Sequence, residues 1–278
     1  MRRITLFGLL SLGICWSVEQ VFVVCEGNFN SGNGSLWTIT EEVHEYPDNP
    51  IGDVVQSVIV HDNQLFVIVN SSSNIQVFDI TDEGLNLVHF IDTDFSGPRE
   101  MLVHDNHLYF TNWYTSDIKK LNLTTWEIDA EIVMSGLPED IIMSDGHLYV
   151  SITMNSDWSD GHLVAEIDPV TNTIVQEHEV GSGPGELLEY EGDIYVARTF
   201  YDSDWNAYYG TSRIKDDGMI DIVSYGLATP CGGGIFKYQD SVYRTFNGGI
   251  AKLDINMNIE ENTRLGDYDY NSKNILDI

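Results

Sequence analysis

Two sets of side chains in this sequence have the residue types and spacing of a ligand site. The first set is aromatic and comes from three polar segments, NWYTSD, TMNSDWSDGH and TFYDSDWNAYYG. Its members are Trp113, Tyr114, Trp158, Phe200, Tyr201, Trp205, Tyr208 and Tyr209. Aromatic rings offer large contact areas with few rotatable bonds, so this set predicts a platform for a flat or sugar-like ligand. The alternative is that these loops simply pack against their neighbours.

The second set consists of three carboxylates at equivalent positions along the chain. Glu100 and Asp140 are 40 residues apart, and Asp140 and Glu186 are 46 apart. In a closed ring they would face one another and raise one another's pKa, which a Ca²⁺ ion bound through oxygen would relieve. Arg99 and Arg198, which we also assign to the ligand site, are alternative sources of positive charge. A solvated ring without metal is the other interpretation.

These positions belong to an internal repeat. Five segments align without a gap: SVIVHDNQLFV, EMLVHDNHLYF, DIIMSDGHLYV, ELLEYEGDIYV and GIFKYQDSVYR. Their shared aromatic position is occupied by Phe66, Tyr109, Tyr149, Tyr195 and Tyr243, with spacings of 43, 40, 46 and 48 residues. Each segment has two apolar runs around a tight turn, which indicates a β-hairpin, and two further strands follow. Four strands in a unit of this length are typical of a β-propeller blade.

The number of units predicts the architecture. The segments QVFVVCEGN, GSLWTIT and EEVHEYP match the second to fourth strands of a blade, NILDI at 274–278 matches a first strand, and IEENTRL at 259–265 matches the last fourth strand. We therefore predict an all-β fold of six four-stranded blades with one-plus-three closure, or seven blades if the chain is truncated. Connections from second to third and from fourth to first strands then share one face, here called the loop face.

The first 17 residues have the layout of a signal peptide. Two arginines precede the apolar run ITLFGLLSLGICW, and Cys15 and Ser17 are small residues suited to cleavage. We expect residues 18–278 to form a single propeller domain that is exported to the periplasm or cell surface. A lipid anchor at Cys15 is the less favoured alternative, because Ile14 stands where a lipobox has a small residue.

Composition limits the partners. The sequence has 44 acidic and 13 basic side chains and a formal charge of −31, which excludes nucleic-acid binding through phosphates and disfavours anionic membranes. No later segment is apolar enough to span a membrane, and we expect a monomer. Cys25 and Cys231 remain after cleavage, and a disulfide between them requires the last blade to adjoin the first.

The repeat resembles the YncE/YVTN class of β-propeller proteins. The residues that carry the resemblance are VFVVCEGNFNSGNGSLWTI and IGDVVQSVIVHDNQLFVIVNSSSNIQVFDI, which are similar to exported members from Bacteroidetes-type bacteria. Some members of that class are surface lipoproteins that pass corrinoids to outer-membrane transporters. The resemblance therefore implies a propeller fold, export, and a nutrient-like small molecule or a transporter as partner.

An enzyme is the second interpretation. Gluconolactonase-type propellers hold a divalent ion with Glu, Asn and Asp side chains, and Glu26, Asn70, Asn112 and Asn247 each stand near the end of a second strand. Asn is equally suited to end a strand because it tolerates turn conformations. The sequence contains no GxSxG, HExxH or Walker motif. We therefore predict a non-catalytic binding protein, with a metal-dependent hydrolase or lactonase as the alternative.

Overall fold

The computed structural model describes residues 20–227, 233–246 and 248–266, and in these ranges the fold is almost entirely β. The predicted hairpin turns explain why the strands pair locally. Residues at their tips have the positive φ angles that tight hairpin turns require, for example Asp105 at 45°, Asn106 at 60° and Gly146 at 80°. Asp, Asn and Gly tolerate this backbone region, so the turns are compatible with the residues that occupy them.

The strands form six antiparallel sheets in chain order. The first sheet contains β1 (Val21–Cys25), β2 (Ser35–Ile39) and β3 (Val43–Glu45). The second contains β4 (Val55–His61), β5 (Gln64–Val69), β6 (Asn74–Thr81) and β7 (Gly84–Asp92). The third contains β8 (Pro98–His104), β9 (His107–Asn112), β10 (Asp117–Asn122) and β11 (Ile128–Val133).

The remaining three sheets follow the same plan. The fourth contains β12 (Gly136–Ser144), β13 (His147–Asn155), β14 (Asp160–Asp168) and β15 (Thr173–Glu179). The fifth contains β16 (Pro184–Tyr190), β17 (Asp193–Tyr201), β18 (Ala207–Ile214) and β19 (Ile220–Leu227). The sixth contains β20 (Ile235–Tyr238), β21 (Ser241–Phe246) and β22 (Gly249–Lys252), followed by the 3₁₀ helix Glu261–Thr263.

The register of the hairpins reproduces the repeat. In five blades the shared aromatic residue lies opposite an apolar residue of the first strand. The pairs are Ile59–Phe66, Leu102–Tyr109, Ile142–Tyr149, Leu188–Tyr195 and Phe236–Tyr243. The sequence alignment therefore corresponds to one structural position in every full unit.

The six sheets form the blades of a β-propeller. The first strands β4, β8, β12, β16 and β20 contact one another in succession, and β1 contacts β4. Adjacent blades bury their facing side chains: Phe66 and Ile68 pack with Phe110 between blades two and three. Ile118 and Ile141 pack together between blades three and four. The prediction of a six-bladed all-β propeller is confirmed.

The last blade differs from the predicted pattern. IEENTRL was expected to be a strand, but the chain forms only isolated bridges, Leu253–Ile259 and Ile250–Leu265, around the 3₁₀ helix. The run of Glu and Asn disfavours a strand. The Thr263 hydroxyl instead donates to the Glu260 carbonyl at 2.7 Å and accepts from the Lys252 N–H at 2.9 Å, which stabilises the turn.

Several predictions concern residues outside the described ranges. These are the signal peptide, the closing strand NILDI, Asn247 and the Cys25–Cys231 disulfide, of which only Cys25 is described, and it is exposed. They stay predictions. Within the described part of the chain, no helix has the length and apolar character needed to cross a membrane.

Candidate functional site

The first strands place the predicted carboxylates by a repeated hydrogen bond. The backbone N–H of Glu100 donates to Oγ1 of Thr111 at 3.0 Å, and that of Asp140 donates to Oγ of Ser151 at 3.0 Å. In the last blade the Gly234 N–H donates in the same way to Oγ1 of Thr245. A hydroxyl residue eleven positions later, on the second strand, therefore holds the beginning of the first strand.

Two of the three carboxylates connect neighbouring blades. Oδ2 of Asp140 accepts from the Leu187 N–H at 2.6 Å, and Oε2 of Glu186 accepts from the Ile235 N–H at 3.1 Å. Each bond joins a blade to the one that follows it. Among the described residues, no group of three or more His, Cys, Asp or Glu side chains is arranged to hold a metal ion. The Ca²⁺ prediction therefore gains no support from this geometry.

Glu100, the third carboxylate, lies in an environment that disfavours its ionised form. Desolvation raises its pKa well above the usual value, and the charge of Asp140 adds to this effect. A hydrogen bond with Ser57 and the nearby charge of Arg99 act in the opposite direction without cancelling it. Glu100 therefore carries a proton more readily than a solvated glutamate does.

Arg99 pairs with a residue that the sequence analysis did not single out. Its Nε and Nη2 lie 3.0 and 2.6 Å from the two carboxylate oxygens of Glu139, and its Nη1 donates to Oε1 of Gln56 at 2.8 Å. These contacts link blades two, three and four. Each of these three residues directly precedes the first residue of an aligned repeat segment. The repeat alignment therefore already assigns Gln56, Arg99 and Glu139 to one equivalent position.

The guanidinium group of Arg99 also contacts the aromatic set. Its central carbon is 4.2 Å from the ring centroid of Trp113, a cation–π geometry. Trp113 in turn meets Trp158 edge to face, with centroids 6.1 Å apart. The loops of blades three and four are therefore in contact, which both the platform and the packing interpretation expect.

The contact continues to blade five. Oδ2 of Asp160 accepts from the Tyr201 N–H at 3.3 Å, and the Tyr201 ring lies 6.2 Å from that of Trp205. Phe200 and Tyr208 stack at 5.8 Å on the same hairpin. The aromatic residues of these three successive loops are together called the rim.

Two rim tryptophans occupy the same local structure. Both belong to an SDW tripeptide, at 156–158 and at 203–205, at the tip of the hairpin loop between second and third strands. The Trp158 N–H donates to the Asn155 carbonyl at 2.9 Å, and the Trp205 N–H donates to the Asp202 carbonyl at 3.0 Å. Both tryptophans have left-handed φ angles, 67° and 62°. Trp158 is 59% exposed and Trp205 is 80% exposed.

Two residues assigned to the rim are buried instead of exposed. Tyr209 is 8% exposed and packs against Tyr225, with ring centroids 5.1 Å apart. Arg198 is 2% exposed and donates to the carbonyls of Ser182 and Val223 at 3.3 and 2.9 Å, and desolvation lowers its pKa. Neighbouring residues on a strand point to opposite faces, so Tyr209 lies on the packed face of β18. Neither side chain therefore contributes to the exposed surface, although the Arg198 guanidinium lies 5.3 Å from the centroid of the Phe200 ring.

Comparisons with known proteins extend the fold assignment but give no family. No protein-family description and no curated protein matches the chain. The resemblance to the YncE/YVTN class therefore receives support only at the level of the propeller fold. Solved structures of β-propellers do match, and the two of Bacteroides origin described next are provisionally named 6-phosphogluconolactonases.

The structure from Bacteroides uniformis has a TM-score of 0.66 at 11% identity and covers 89% of this chain and 82% of its own. The one from Bacteroides fragilis has a TM-score of 0.64 at 13% identity, with coverages of 89% and 81%. The Pan2 WD40 domain of Neurospora crassa has a TM-score of 0.61 at 12% identity, with coverages of 86% and 73%. At these identities the likeness shows the fold alone.

Proposed function

We propose that this chain is a non-catalytic binding protein whose binding surface is the rim of blades three to five. The observation that carries the proposal is the pair of SDW tips, each of which holds an exposed tryptophan in a left-handed backbone conformation. For a bulky residue this conformation is strained by about 1–2 kcal/mol, and at these two tips the strained residue is an indole that remains exposed. Gly or Asn would form the same turn with less strain.

Packing within the chain does not account for both tips. Trp205 leaves four-fifths of its surface in water and touches mainly Tyr201. Trp126 provides an internal comparison, because it is also left-handed, at φ 59°, but stacks on His89 with centroids 3.7 Å apart. A tryptophan kept for packing is covered in this way, whereas Trp158 and Trp205 leave more than half of their surface in water.

The wider biological role follows from the sequence. We propose that the chain is exported and that its ligand is a nutrient-like small molecule, such as a corrinoid, or a partner such as an outer-membrane transporter. The support for this is the N-terminal signal-like segment and the resemblance described above. Binding at one face leaves the opposite face and the outer strands free for other contacts.

The test is native mass spectrometry of the wild-type protein and of its variants, each purified from the native host. Wild type is expected to carry a ligand or partner that the Trp158→Asn/Trp205→Asn double variant loses. Trp126→Asn, on the opposite face, serves as the matched control and should retain it. Retention by the double variant would contradict the proposal.

A lactonase is the second candidate, and one observation favours it. Glu100 has a raised pKa and lies beside Asp140 at the channel, an arrangement that suits a general acid or base. The provisional names of the two Bacteroides structures point to the same reaction class. Lactone hydrolysis that requires added divalent metal and is lost in Glu100→Gln would establish it, and absence of turnover with metal present would dismiss it.

A further inference from the structure

The loop face carries more exposed aromatic residues than the rim alone. Phe29 on the β1–β2 loop, Phe95 on the β7–β8 loop and Tyr114 on the β9–β10 loop are exposed, in addition to Trp158 and Trp205. These five side chains come from five different loops distributed around the ring. In the described connections at the opposite face, the exposed apolar residues are not aromatic: Val170, Met219 and Ile255.

The described connections of the loop face also carry acidic side chains but no basic ones. Nine of its connections are described, from the β1–β2 loop to the β17–β18 loop, and their sequences contain no Lys or Arg. They contain seven carboxylates: Glu26, Asp48, Asp53, Asp94, Asp157, Asp202 and Asp204. Hydrogen bonds within the tips keep some of these charged, since Ser159 lowers the pKa of Asp157 and Asn206 lowers that of Asp202. Exposed aromatic rings and ionised carboxylates together form a surface suited to cations.

The rim itself shows how it accommodates a guanidinium group. Arg99 places its planar group on the Trp113 ring at 4.2 Å while Glu139 binds it with both carboxylate oxygens. Each SDW tip has the same two kinds of group, since an aspartate directly precedes the exposed indole in the sequence. The tips therefore offer an aromatic face and a negative charge to a cation from outside the chain.

We propose that the loop face binds a basic polypeptide segment of a partner protein, with arginine side chains seated on the tryptophans of the SDW tips. The proposal rests on the proposed binding function and specifies its ligand. Charge complementarity selects a cationic partner, since the chain has a formal charge of −31. The spread of five exposed aromatic residues over five loops selects a polypeptide, because a small cation would use only one of them.

The experiment measures binding of two blocked hexapeptides to the full chain by calorimetry at physiological salt. One peptide is Gly-Arg-Gly-Arg-Gly-Arg, and the other has citrulline, which has nearly the same shape but no charge, in place of arginine. We expect the arginine peptide to bind at least tenfold more tightly. The Trp158→Asn/Trp205→Asn variant should weaken its binding by roughly five- to thirtyfold, the loss expected for two cation–π contacts. Trp126→Asn should bind like wild type.

Three results would overturn the proposal. Equal binding by wild type and the double variant would mean that only general attraction to an acidic protein is measured, because both have the same charge. Equal binding of the two peptides would exclude charge recognition. Equally tight binding of blocked arginine amide would identify a small cation instead of a polypeptide. If the peptide fails but the double variant still loses the ligand found in the host, this inference is wrong and the proposed function stands.

Discussion

Replacing Trp205 by Asn should remove a large aromatic side chain with almost no change in the free energy of unfolding. A tryptophan side chain has up to about 250 Å² of surface, and Trp205 is 80% exposed, so about 50 Å² leaves contact with the protein. At about 25 cal/mol per Å² this loses about 1.3 kcal/mol. Relief of the left-handed backbone, which Asn tolerates, returns about 1–2 kcal/mol. The two effects nearly cancel.

The same reasoning gives an order for three tryptophans in left-handed conformations. Trp158 is 59% exposed, so Trp158→Asn removes about 100 Å² of contact and about 2.5 kcal/mol, and should destabilise the chain by about 1 kcal/mol after relief of strain. Trp126 is half-buried against His89 and the apolar core, so Trp126→Asn should be the most destabilising. Urea unfolding of the three variants measures these free energies. A loss for Trp205→Asn as large as that for Trp126→Asn would show that the tip is a packing element, and the functional argument from its strain would fall.

Three further predictions concern the ring beneath the rim. Arg244→Met removes a fully buried guanidinium that donates to the carbonyls of Gly234, Thr245 and Arg198. The variant should lower the free energy of unfolding by about 2–4 kcal/mol, whereas Lys237→Met on the same blade should change it little. Glu139→Gln should lower the free energy of unfolding by about 1–3 kcal/mol, because Arg99 loses its charged partner. Glu131→Gln, at an exposed ion pair, should lower it by only about 0.2–1 kcal/mol. Equal losses in urea unfolding would contradict this prediction. The pKa of Glu100 is raised in the folded chain, so wild type loses stability as the pH rises from 4.5, the usual glutamate pKa, towards the folded pKa. Glu100→Gln should therefore gain stability relative to wild type over that pH range. Parallel pH profiles of the two proteins would refute the assignment.

The fold was predictable because its signals are local. Alternating apolar residues around Asp-Asn, Asp-Gly and Glu-Gly turns define each hairpin without reference to distant parts of the chain. The register of Tyr109 opposite Leu102 and of Tyr195 opposite Leu188 follows from that pattern alone. The position of 259–265 in the repeat predicts a strand, but its Glu and Asn residues favour the turn that the structure has.

The site was only partly predictable, since its decisive contacts join different blades. Repeat alignment showed that Arg99 and Glu139 occupy equivalent positions, but equivalent positions in a ring can face each other or solvent. Their bidentate pairing depends on the rotation between blades, which the sequence does not specify. Likewise, loop length identified the segment that contains Trp205 and Tyr209 but did not show that one is exposed and the other buried.

The SDW tips were the part of the site that the residue preferences of turns predicted least well. Gly and Asn are the residues that indicate a left-handed turn position, so a tryptophan in a loop sequence gives no indication of one. Local preference and structure disagree in this way mainly where function imposes the residue. The disagreement occurs twice, 47 residues apart, with the same tripeptide and the same backbone hydrogen bond. Ser73, Ser116 and Met257 occupy the same left-handed turn with the same backbone hydrogen bond, so the turn itself belongs to the scaffold. What distinguishes the two SDW tips is an exposed indole at that position, which a ligand that both loops contact together would explain.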